Sequence, residues 1–297
     1  MSSLQNVTFG TLGGGEAGRA IADSLHQQTE SQLVCFDIKA INEAACTALS
    51  TKALSYVPTC KELADTATII ISVVTADDAL KAAQDLAPYL SEQHHFLDGN
   101  SVSPATKQAI AEIIHATGAH YTDMAIMAPI HPRGHQTPLL MAGDQKEALS
   151  SILTDFGFSY RWQGPHIGDA SMVKMLRSIL IKGMESLICE CVTAAEGQGL
   201  DTEILTSAGK TLGIDDMPAL ADYVMERAAR HGRRRAAELR EVAKTLAELG
   251  LSNHMPTAIA NHQDMVADMA LSDTFDGDIP QQRALLAIAM RKGQGQD

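Results

Sequence analysis

The chain has 297 residues, 45% of them hydrophobic and 20% charged, and a formal net charge of −13 at pH 7. This length favours two domains over one, and this composition excludes long disordered stretches. The acidic balance argues against nucleic acid and anionic membranes as partners, and no apolar run approaches the roughly 18 residues of a membrane-spanning helix.

Strand-like runs alternate with helical patterns before about residue 165. The alternating runs are VTFGTL and RAIADSLHQ, LVCFDI and INEAACTAL, ATIIISVV and DDALKAAQDL, and HHFLDG and PATKQAIAEIIHA. Two further strands, AHYTDMAIM and TPLLMAG, precede a helix, KEALSSILTDF, and a last strand, FSYRWQG. Such alternation predicts an α/β fold with a doubly wound, mostly parallel sheet covered by helices on both faces.

The remainder of the chain, to about residue 270, has a helical pattern. Breaks are predicted at GLD (199–201), GIDDMP (213–218), HG (231–232) and GLSNHMP (250–256). Asp201 and Ser252 are predicted to start helices, and Gly250 to end one. An all-α C-terminal domain therefore follows the α/β domain.

The stretch TLGGGEAGRAIA contains Gly13-x-Gly15-x-x-Gly18 between the first predicted strand and the first helix. Glycines at these places allow a tight turn, close backbone approach to a pyrophosphate and close packing of helix on sheet. Asp37 ends the second strand about 20 residues later, where a carboxylate accepts bonds from the adenosine ribose. This order predicts a Rossmann-type dinucleotide site; a merely tight turn is the alternative. Asp37 would repel a 2′-phosphate and favours NAD, whereas nearby Lys39 leaves NADP open.

The ordered motifs GGGEAG, LDGNSVSP, YTDMAIMAP and GDASMVKMLRS resemble those of the β-hydroxyacid dehydrogenases, the superfamily of 3-hydroxyisobutyrate and 6-phosphogluconate dehydrogenases. The segments KMLRSILIKGMESL and RRRAAELREVAKTLAELG resemble a phosphogluconate-dehydrogenase-like subgroup whose C-terminal domain has no assigned function. The resemblance implies an NAD(P)-binding Rossmann domain over residues 1–165. It also implies a helical substrate and dimerisation domain over residues 166–297, joined to the first by a long helix.

The family's substrate segment, Asp-x-Ser-Thr-x-x-Pro, matches residues 98–104. Ser101 stands at the family's threonine, near nicotinamide and substrate, and Asn100 replaces the serine. Ser101 or Ser103 also suits the cap of a helix that begins at Pro104, and such a cap is compatible with function.

The family's next motif, Asp-Ala-Pro-Val-Ser-Gly-Gly, falls on residues 123–129. Met127 replaces its serine, and Pro129 removes one backbone N–H group. The change suggests a larger or less polar substrate than the usual small carboxylate. A methionine placed here for packing alone is the competing interpretation.

Lys174 matches the family's catalytic lysine, and Ser178 stands where the family has an asparagine. Oxidation of an alcohol needs a base for its proton, and a lysine serves when burial and nearby positive charge lower its pKa. On a helical wheel Lys174, Arg177, Ser178, Lys182 and Glu185 share one face. A solvated face gives the same pattern, so a surface lysine lying along apolar neighbours is the alternative.

Other family members often carry a Lys-Asp pair in the helical domain, where this chain has Ala237-Glu238. The arginines cluster one turn earlier, at residues 233–235. Such a cluster can bind a substrate carboxylate or phosphate through a bidentate contact. A basic helix surface is the equally weighted alternative, and Arg234 is our candidate for the substrate contact.

Five cysteines without a CxxC pair predict reduced thiols, no metal site and a cytoplasmic protein; residues 1–6 carry no secretory pattern. The chain is predicted to be an NAD-dependent (or NADP-dependent) dehydrogenase for a hydroxy acid or related anionic alcohol, bound between domains of a homodimer. Alternatives are an imine reductase-like enzyme and a catalytically inactive NAD-binding regulator. Cofactor contacts are predicted at Gly13, Gly14, Gly15, Glu16, Ala17, Gly18, Asp37, Thr75 and Ser101. Substrate contacts are predicted at Asn100, Ser101, Met127, Ser178 and Arg234.

Overall fold

A computed structural model describes residues 7–40, 42–271 and 283–293. The prediction about residues 1–6 lies outside these ranges. Contacts divide the chain into two units, the first ending at Met175 and the second beginning at Leu176. That division falls ten residues after the boundary expected from the sequence (175 against 165), inside a long helix.

Among the described residues, eight strands of the first unit form one sheet in the order β3-β2-β1-β4-β5-β6-β7-β8. The strands are β1 (Phe9–Leu12), β2 (Leu33–Phe36), β3 (Leu54–Tyr56), β4 (Ile69–Ser72), β5 (His95–Asp98), β6 (His120–Ile126), β7 (Leu139–Ala142) and β8 (Tyr160–Gly164). Every neighbouring pair is parallel except β6 with β7. The predicted α/β class is confirmed, whereas β3 and the helix after it were not predicted.

Helices cover both faces of this sheet. They are α1 (Glu16–Thr29), α2 (Glu43–Leu49), α3 (Cys60–Thr66), α4 (Ala79–Leu86), α5 (Pro104–His115) and α6 (Lys146–Asp155). In β4, Ile69 and Ile71 belong to one core cluster and Ile70 to the other. Alternate side chains of a strand point to opposite faces, so a strand buried on both faces is apolar throughout. This explains the unbroken isoleucine run.

The second unit is helical in its described part. Helix α7 (Asp169–Glu196) begins in the first unit and continues into the second, where it is followed by α8 (Asp201–Leu212), α9 (Met217–Glu248), α10 (His254–Asp268) and α11 (Arg283–Gly293). Buried Cys189, Val192, Val224, Met225 and Val266 belong to its core. Within the described ranges, no helix is long and apolar enough to cross a membrane.

The helical boundaries correct two expectations. The predicted break at 231–232 is wrong, because α9 runs straight through it. A Cβ at Gly232 would lie 2.6 Å from the Gln263 carbonyl oxygen, so this glycine permits close packing of α9 on α10. Helix α10 is capped at Asn253 rather than starting at Ser252. The predicted start at Asp201 is confirmed, and Gly250, with φ +70°, follows the end of α9 as predicted.

Candidate active site

The glycine-rich turn joins β1 to α1. Gly13 has φ +105°, a conformation that favours glycine, and a Cβ at Gly18 would lie 2.2 Å from the Gly13 carbonyl oxygen. A Cβ at Gly15 would meet nothing within 4 Å. Gly15 caps α1 without a side-chain hydrogen bond, so the first N–H groups of the helix are available to an anion. The turn therefore fits a pyrophosphate.

Asp37 lies directly beside this turn. Its Oδ2 accepts a 2.7 Å hydrogen bond from the Gly14 N–H, and its Oδ1 accepts one of 2.9 Å from the Lys39 N–H. Each carboxylate oxygen can accept a further bond, as a ribose binding site requires. The Tyr56 hydroxyl donates to the Gly14 carbonyl at 2.9 Å, and a Cβ at Gly14 would lie only 2.2 Å from that hydroxyl. The fold thus brings the predicted ribose acceptor to the predicted phosphate turn.

The loops after β4 and β5 are joined by a buried amide. Asn100 is 3% exposed; its Oδ1 accepts from the Val74 N–H at 2.8 Å, and its Nδ2 donates to Ser72 Oγ at 2.9 Å. Thr75, exposed in the loop after β4, donates to Asp78 Oδ2 at 2.6 Å. Asn100 therefore sets the shape of the two loops that carry Thr75 and Ser101.

The two serines near the start of α5 have separate positions. Ser103 caps the helix, since its side chain accepts a 3.2 Å bond from the Thr106 N–H, and Pro104 occupies the first helical turn. Ser101 accepts a 2.6 Å hydrogen bond from Lys174 Nζ. Because Ser103 caps the helix, the Ser101 hydroxyl is available to Lys174. The fold thus brings Ser101 and Lys174 together from distant parts of the sequence.

A buried charge cluster, which sequence reasoning missed, lies at the carboxyl end of β5 and the middle of β6. Lys107, Asp98 and Asp123 are fully buried, and Lys107 Nζ lies 3.0 Å from Asp98 Oδ1 and 3.5 Å from Asp123 Oδ1. Tyr121 donates to Asp98 Oδ2 at 2.8 Å; its own pKa is raised well above the ordinary value by burial and by the two carboxylates. The available signal was a lysine at an apolar position of α5, in register with residues 110, 111 and 114.

Met127 lies just beyond β6. Its N–H donates to the Pro138 carbonyl at 2.9 Å. Its partly buried side chain packs on a cluster that includes Ala125, Leu140 and Ala170. Ala170 belongs to the first turn of α7, so Met127 supports the segment that carries Lys174. This contact matches the packing interpretation of the replaced serine.

The polar face predicted for α7 is buried in the second unit. Ser178, Lys182 and Glu185 are each at most 8% exposed, whereas Leu180 and Leu187 are 66% and 63% exposed. Lys182 Nζ donates to Ser178 Oγ at 3.3 Å and lies 2.7 Å from Glu238 Oε2. Burial lowers the pKa of Lys182, and Glu238 opposes that change. A solvated polar face is therefore excluded for this part of α7.

Each arginine of the 233–235 cluster has an acidic partner in the second unit. Arg233 pairs with Asp264 at 3.0 Å. Arg234 pairs with Glu238 at 2.5 Å, while its side chain stays 53% exposed. Arg235 is buried against Glu185, and burial lowers its pKa. Arg233 and Arg234 are thus both more than half exposed, whereas Arg235 is buried.

All five cysteines are unpaired, and four are buried. Burial raises the pKa of Cys35 to about 12, which keeps this thiol protonated. Across residues 7–40, 42–271 and 283–293, no group of three or more His, Cys, Asp or Glu side chains is arranged to hold a metal ion.

Comparison with protein families matches residues 8–161, slightly more than half of the chain, to the NAD binding domain of 6-phosphogluconate dehydrogenase. Residues 195–266 match a domain of unknown function, DUF1932. A curated relative, the uncharacterized 28.5 kDa protein in the 7S RNA 5′ region of Methanothermus fervidus, is 30% identical over 184 residues. The alignment covers 62% of this chain and 70% of that protein.

Solved structures show the same fold. A conserved hypothetical protein from Sinorhizobium meliloti is 29% identical, with a TM-score of 0.73 over 97% of both chains. A Mycobacterium tuberculosis 3-hydroxyisobutyrate dehydrogenase is 14% identical, with a TM-score of 0.72 over 96% of this chain and 99% of that one. An imine reductase from Bacillus cereus is 16% identical, with a TM-score of 0.57 over 88% and 92%. The predicted resemblance is confirmed, and the chain belongs to the family defined by the NAD-binding domain of 6-phosphogluconate dehydrogenase.

Proposed function

We propose that this NAD-binding, dehydrogenase-like protein oxidises a hydroxy acid or a related anionic alcohol, with Lys174 as general acid and base. The observation that carries the proposal is the 2.6 Å hydrogen bond from Lys174 Nζ to Ser101 Oγ. It joins the two residues that match the family's lysine and threonine, in the same unit as the dinucleotide motif.

The cofactor contacts are assigned to the glycine turn and to Asp37. Open space at Gly15 and the uncapped start of α1 suit a pyrophosphate, and Asp37 suits the ribose hydroxyls. The bound nicotinamide supplies the hydride acceptor of the oxidation. An aspartate at this position repels a 2′-phosphate, so we assign NAD as the preferred cofactor.

Lys174 moves the proton. In its neutral form the amine accepts the proton of the substrate hydroxyl during oxidation, and the ammonium returns it in the reverse reaction. The Ser101 oxygen holds Nζ through the observed hydrogen bond. A hydroxyl that accepts one bond still has its own proton to donate, so Ser101 is assigned a bond to substrate as well.

The other predicted substrate contacts differ in their support. Arg234 keeps an exposed guanidinium beside Glu238 and stays our candidate for the substrate's negative charge. Asn100 and Met127 are assigned support of the loops, since their contacts are to Ser72, Val74 and apolar neighbours. Ser178 is assigned a bond to Lys182.

A substrate screen tests the reaction. NADH formation is followed with aliphatic and aromatic hydroxy acids, sugar acids and their phosphates, for wild type, Lys174→Ala and the exposed control Lys146→Ala. We expect Lys174→Ala to lose roughly 100-fold or more of the turnover rate, as for a general acid-base group, and Lys146→Ala to lose none. Near-normal turnover by Lys174→Ala contradicts the assigned role.

The same screen separates the alternatives. Cyclic imines with NADPH are included in it. Turnover of imines without turnover of alcohols would identify an imine reductase. Tight NADH binding without turnover of any compound would identify a regulatory protein.

Cofactor preference is tested by NADH and NADPH fluorescence with Asp37→Asn. Asp23→Asn, an exposed change on α1, is the matched control. We expect NADH binding to weaken about tenfold with Asp37→Asn, because one charged hydrogen bond to the ribose becomes neutral, and NADPH binding to stay or improve. Unchanged NADH affinity contradicts the ribose role of Asp37.

The proposal includes a cytoplasmic homodimer. Its support is the apolar side chains of Leu176, Leu180 and Leu187, which are 42%, 66% and 63% exposed on α7. Reduced thiols are typical of the cytoplasm. Sedimentation of Leu180→Glu tests the dimer: we expect a shift to monomer, and an unchanged dimer contradicts this surface.

A further inference from the structure

Lys107 is a fully buried cation on α5. Its Nζ lies 3.0 Å from Asp98 Oδ1 and 3.5 Å from Asp123 Oδ1, and it donates to the Asp98 carbonyl oxygen at 2.5 Å. Asp98 ends β5 and stands opposite Asp123 in the register of β5 and β6. Without the ammonium, two neighbouring carboxylates would share a site closed to water, which is strongly unfavourable.

Asp98 holds the loop that carries Ser101. Its Oδ1 accepts a 3.0 Å hydrogen bond from the Asn100 N–H, one residue before Ser101. Its Oδ2 accepts from the Tyr121 hydroxyl at 2.8 Å. The carboxylate of Asp98 therefore fixes the backbone at the point where the chain leaves β5 for the loop.

Asp123 holds the beginning of α7. Its Oδ2 accepts from the Gly168 N–H at 3.2 Å and from the Ser171 N–H at 2.9 Å. A carboxylate at the N-terminus of a helix satisfies free N–H groups and interacts favourably with the helix dipole. Ser171 lies three residues before Lys174, so Asp123 fixes the turn from which the catalytic candidate extends.

These contacts form a closed ring of interactions. Lys107 joins Asp98 to Asp123, these carboxylates hold the Ser101 loop and the first turn of α7, and Lys174 bonds Ser101 across them. We infer that Lys107 is a positioning residue, which sets the distance and direction between Ser101 and Lys174 through the two buried aspartates. The inference rests on the proposed function for one point only, namely that Lys174 carries a proton during the reaction.

The test measures Lys174 directly and needs no substrate. Acetic anhydride acetylates only the neutral amine, so the extent of Lys174 acetylation against pH, read by mass spectrometry, follows its protonation. In Lys107→Met we expect the midpoint to rise by about one pH unit, since loss of the Lys107 cation increases the negative charge near Lys174 by more than a weaker bond to Ser101, which acts in the opposite direction, offsets. A rise of that size slows acetylation roughly tenfold below the midpoint.

Two variants control for stability and for charge. Leu153→Ala removes a fully buried side chain of α6 that makes none of these contacts. This variant is expected to destabilise the protein without moving the Lys174 midpoint. Lys107→Arg keeps the cation and is expected to keep the midpoint near that of wild type. If Lys107→Met does not fold, Tyr121→Phe replaces it, since it removes only the bond to Asp98 Oδ2 and is expected to raise the midpoint by a smaller amount.

The outcomes separate this inference from the proposed function. A folded Lys107→Met, or Tyr121→Phe in its place, whose Lys174 midpoint is unchanged or lower, overturns the positioning role. Equal shifts in Leu153→Ala overturn it too. If the midpoint rises as expected while Lys174→Ala keeps full turnover, positioning by Lys107 stands and the acid-base role of Lys174 fails.

Discussion

The paired stretch of β5 and β6 has like side chains side by side at each of its two ends, with different consequences. At the amino ends His95 is in register with His120, and their rings stack with centroids 4.8 Å apart. At the other end of the paired stretch, where β5 ends and β6 continues to Ile126, Asp98 is in register with Asp123, and Lys107 pairs with both. Burial and the neighbouring histidines lower the pKa of His95 to about 4, so near neutral pH that ring is uncharged.

The two pairs differ in the partners that they need inside the protein. The neutral His95 ring stacks on its neighbour without a counter-ion, whereas paired carboxylates in a buried site need a cation. The same carboxylates accept hydrogen bonds from backbone N–H groups of the Asn100 loop and of the first turn of α7. The histidine end is a packing contact; the aspartate end organises the residues of the candidate active site.

The largest expected effect comes from removing the cation at the aspartate end. Lys107→Met should lower the free energy of unfolding by about 3–5 kcal/mol, because it leaves two buried carboxylates uncompensated. Urea denaturation measures the change. The combined variant Asp98→Asn, Lys107→Met and Asp123→Asn should recover most of the loss, since no buried charge remains. A Lys107→Met variant as stable as wild type would contradict the claim that the aspartate pair, unlike the histidine pair, needs a cation.

An intermediate effect is expected from acid at the histidine end. In the unfolded chain His95 regains its ordinary pKa near 6.5, so between about pH 6.5 and 4 the unfolded state binds the extra proton. The free energy of unfolding should fall as the pH falls through this window, by roughly 1–2 kcal/mol after allowance for solvent screening of a half-buried ring. Above about pH 6.5 this contribution is complete.

The matching variant is His95→Phe, which keeps an aromatic ring against His120 and cannot be protonated. Urea denaturation at about pH 7 and about pH 5 should show a smaller loss of stability for this variant than for wild type. His94 and His120, whose charges also lower the pKa of His95, are present in both proteins. If His95→Phe loses as much stability between these pH values as wild type does, the effect comes from other groups.

The smallest expected effects distinguish two serines at the aspartate end. Ser103→Ala should cost about 1 kcal/mol of stability through loss of the α5 cap, and leave the acetylation midpoint of Lys174 unchanged. Ser101→Ala should do the reverse, with little loss of stability and a moved midpoint, because Ser101 bonds Lys174 Nζ. Denaturation and acetylation of both variants measure the difference, and identical behaviour contradicts the division of roles.

Local sequence patterns predicted the parts of the fold that depend on the conformational preferences and hydrophobicity of short segments. The isoleucine run of β4 indicated a strand buried on both faces, and the glycine turn predicted a conformation that Gly13 adopts. The candidate pair of Ser101 and Lys174 came from resemblance, since nothing local links residues 73 positions apart. Strand β3 was missed because it has only three residues.

Other features depended on tertiary contacts. Lys107 interrupts the apolar face of α5, and no local rule says whether such a lysine is solvated or paired inside. Gly232 resembled a helix break until the close approach of Gln263 explained it. The polar face of α7 was compatible with a solvated surface, but Lys182 and Glu185 are buried beside Glu238 and Arg235, residues 50 or more positions away.

The contact between Gly14 and Tyr56 has an evolutionary consequence. The Tyr56 hydroxyl occupies the space where a side chain at position 14 would begin, 2.2 Å from an ideal Cβ. The two positions therefore share one volume, 42 residues apart in the chain. Among homologues we expect them to vary together: a chain with a bulky residue at position 14 should carry a small one at position 56. A grafted nucleotide turn should keep its activity only when both residues are transferred.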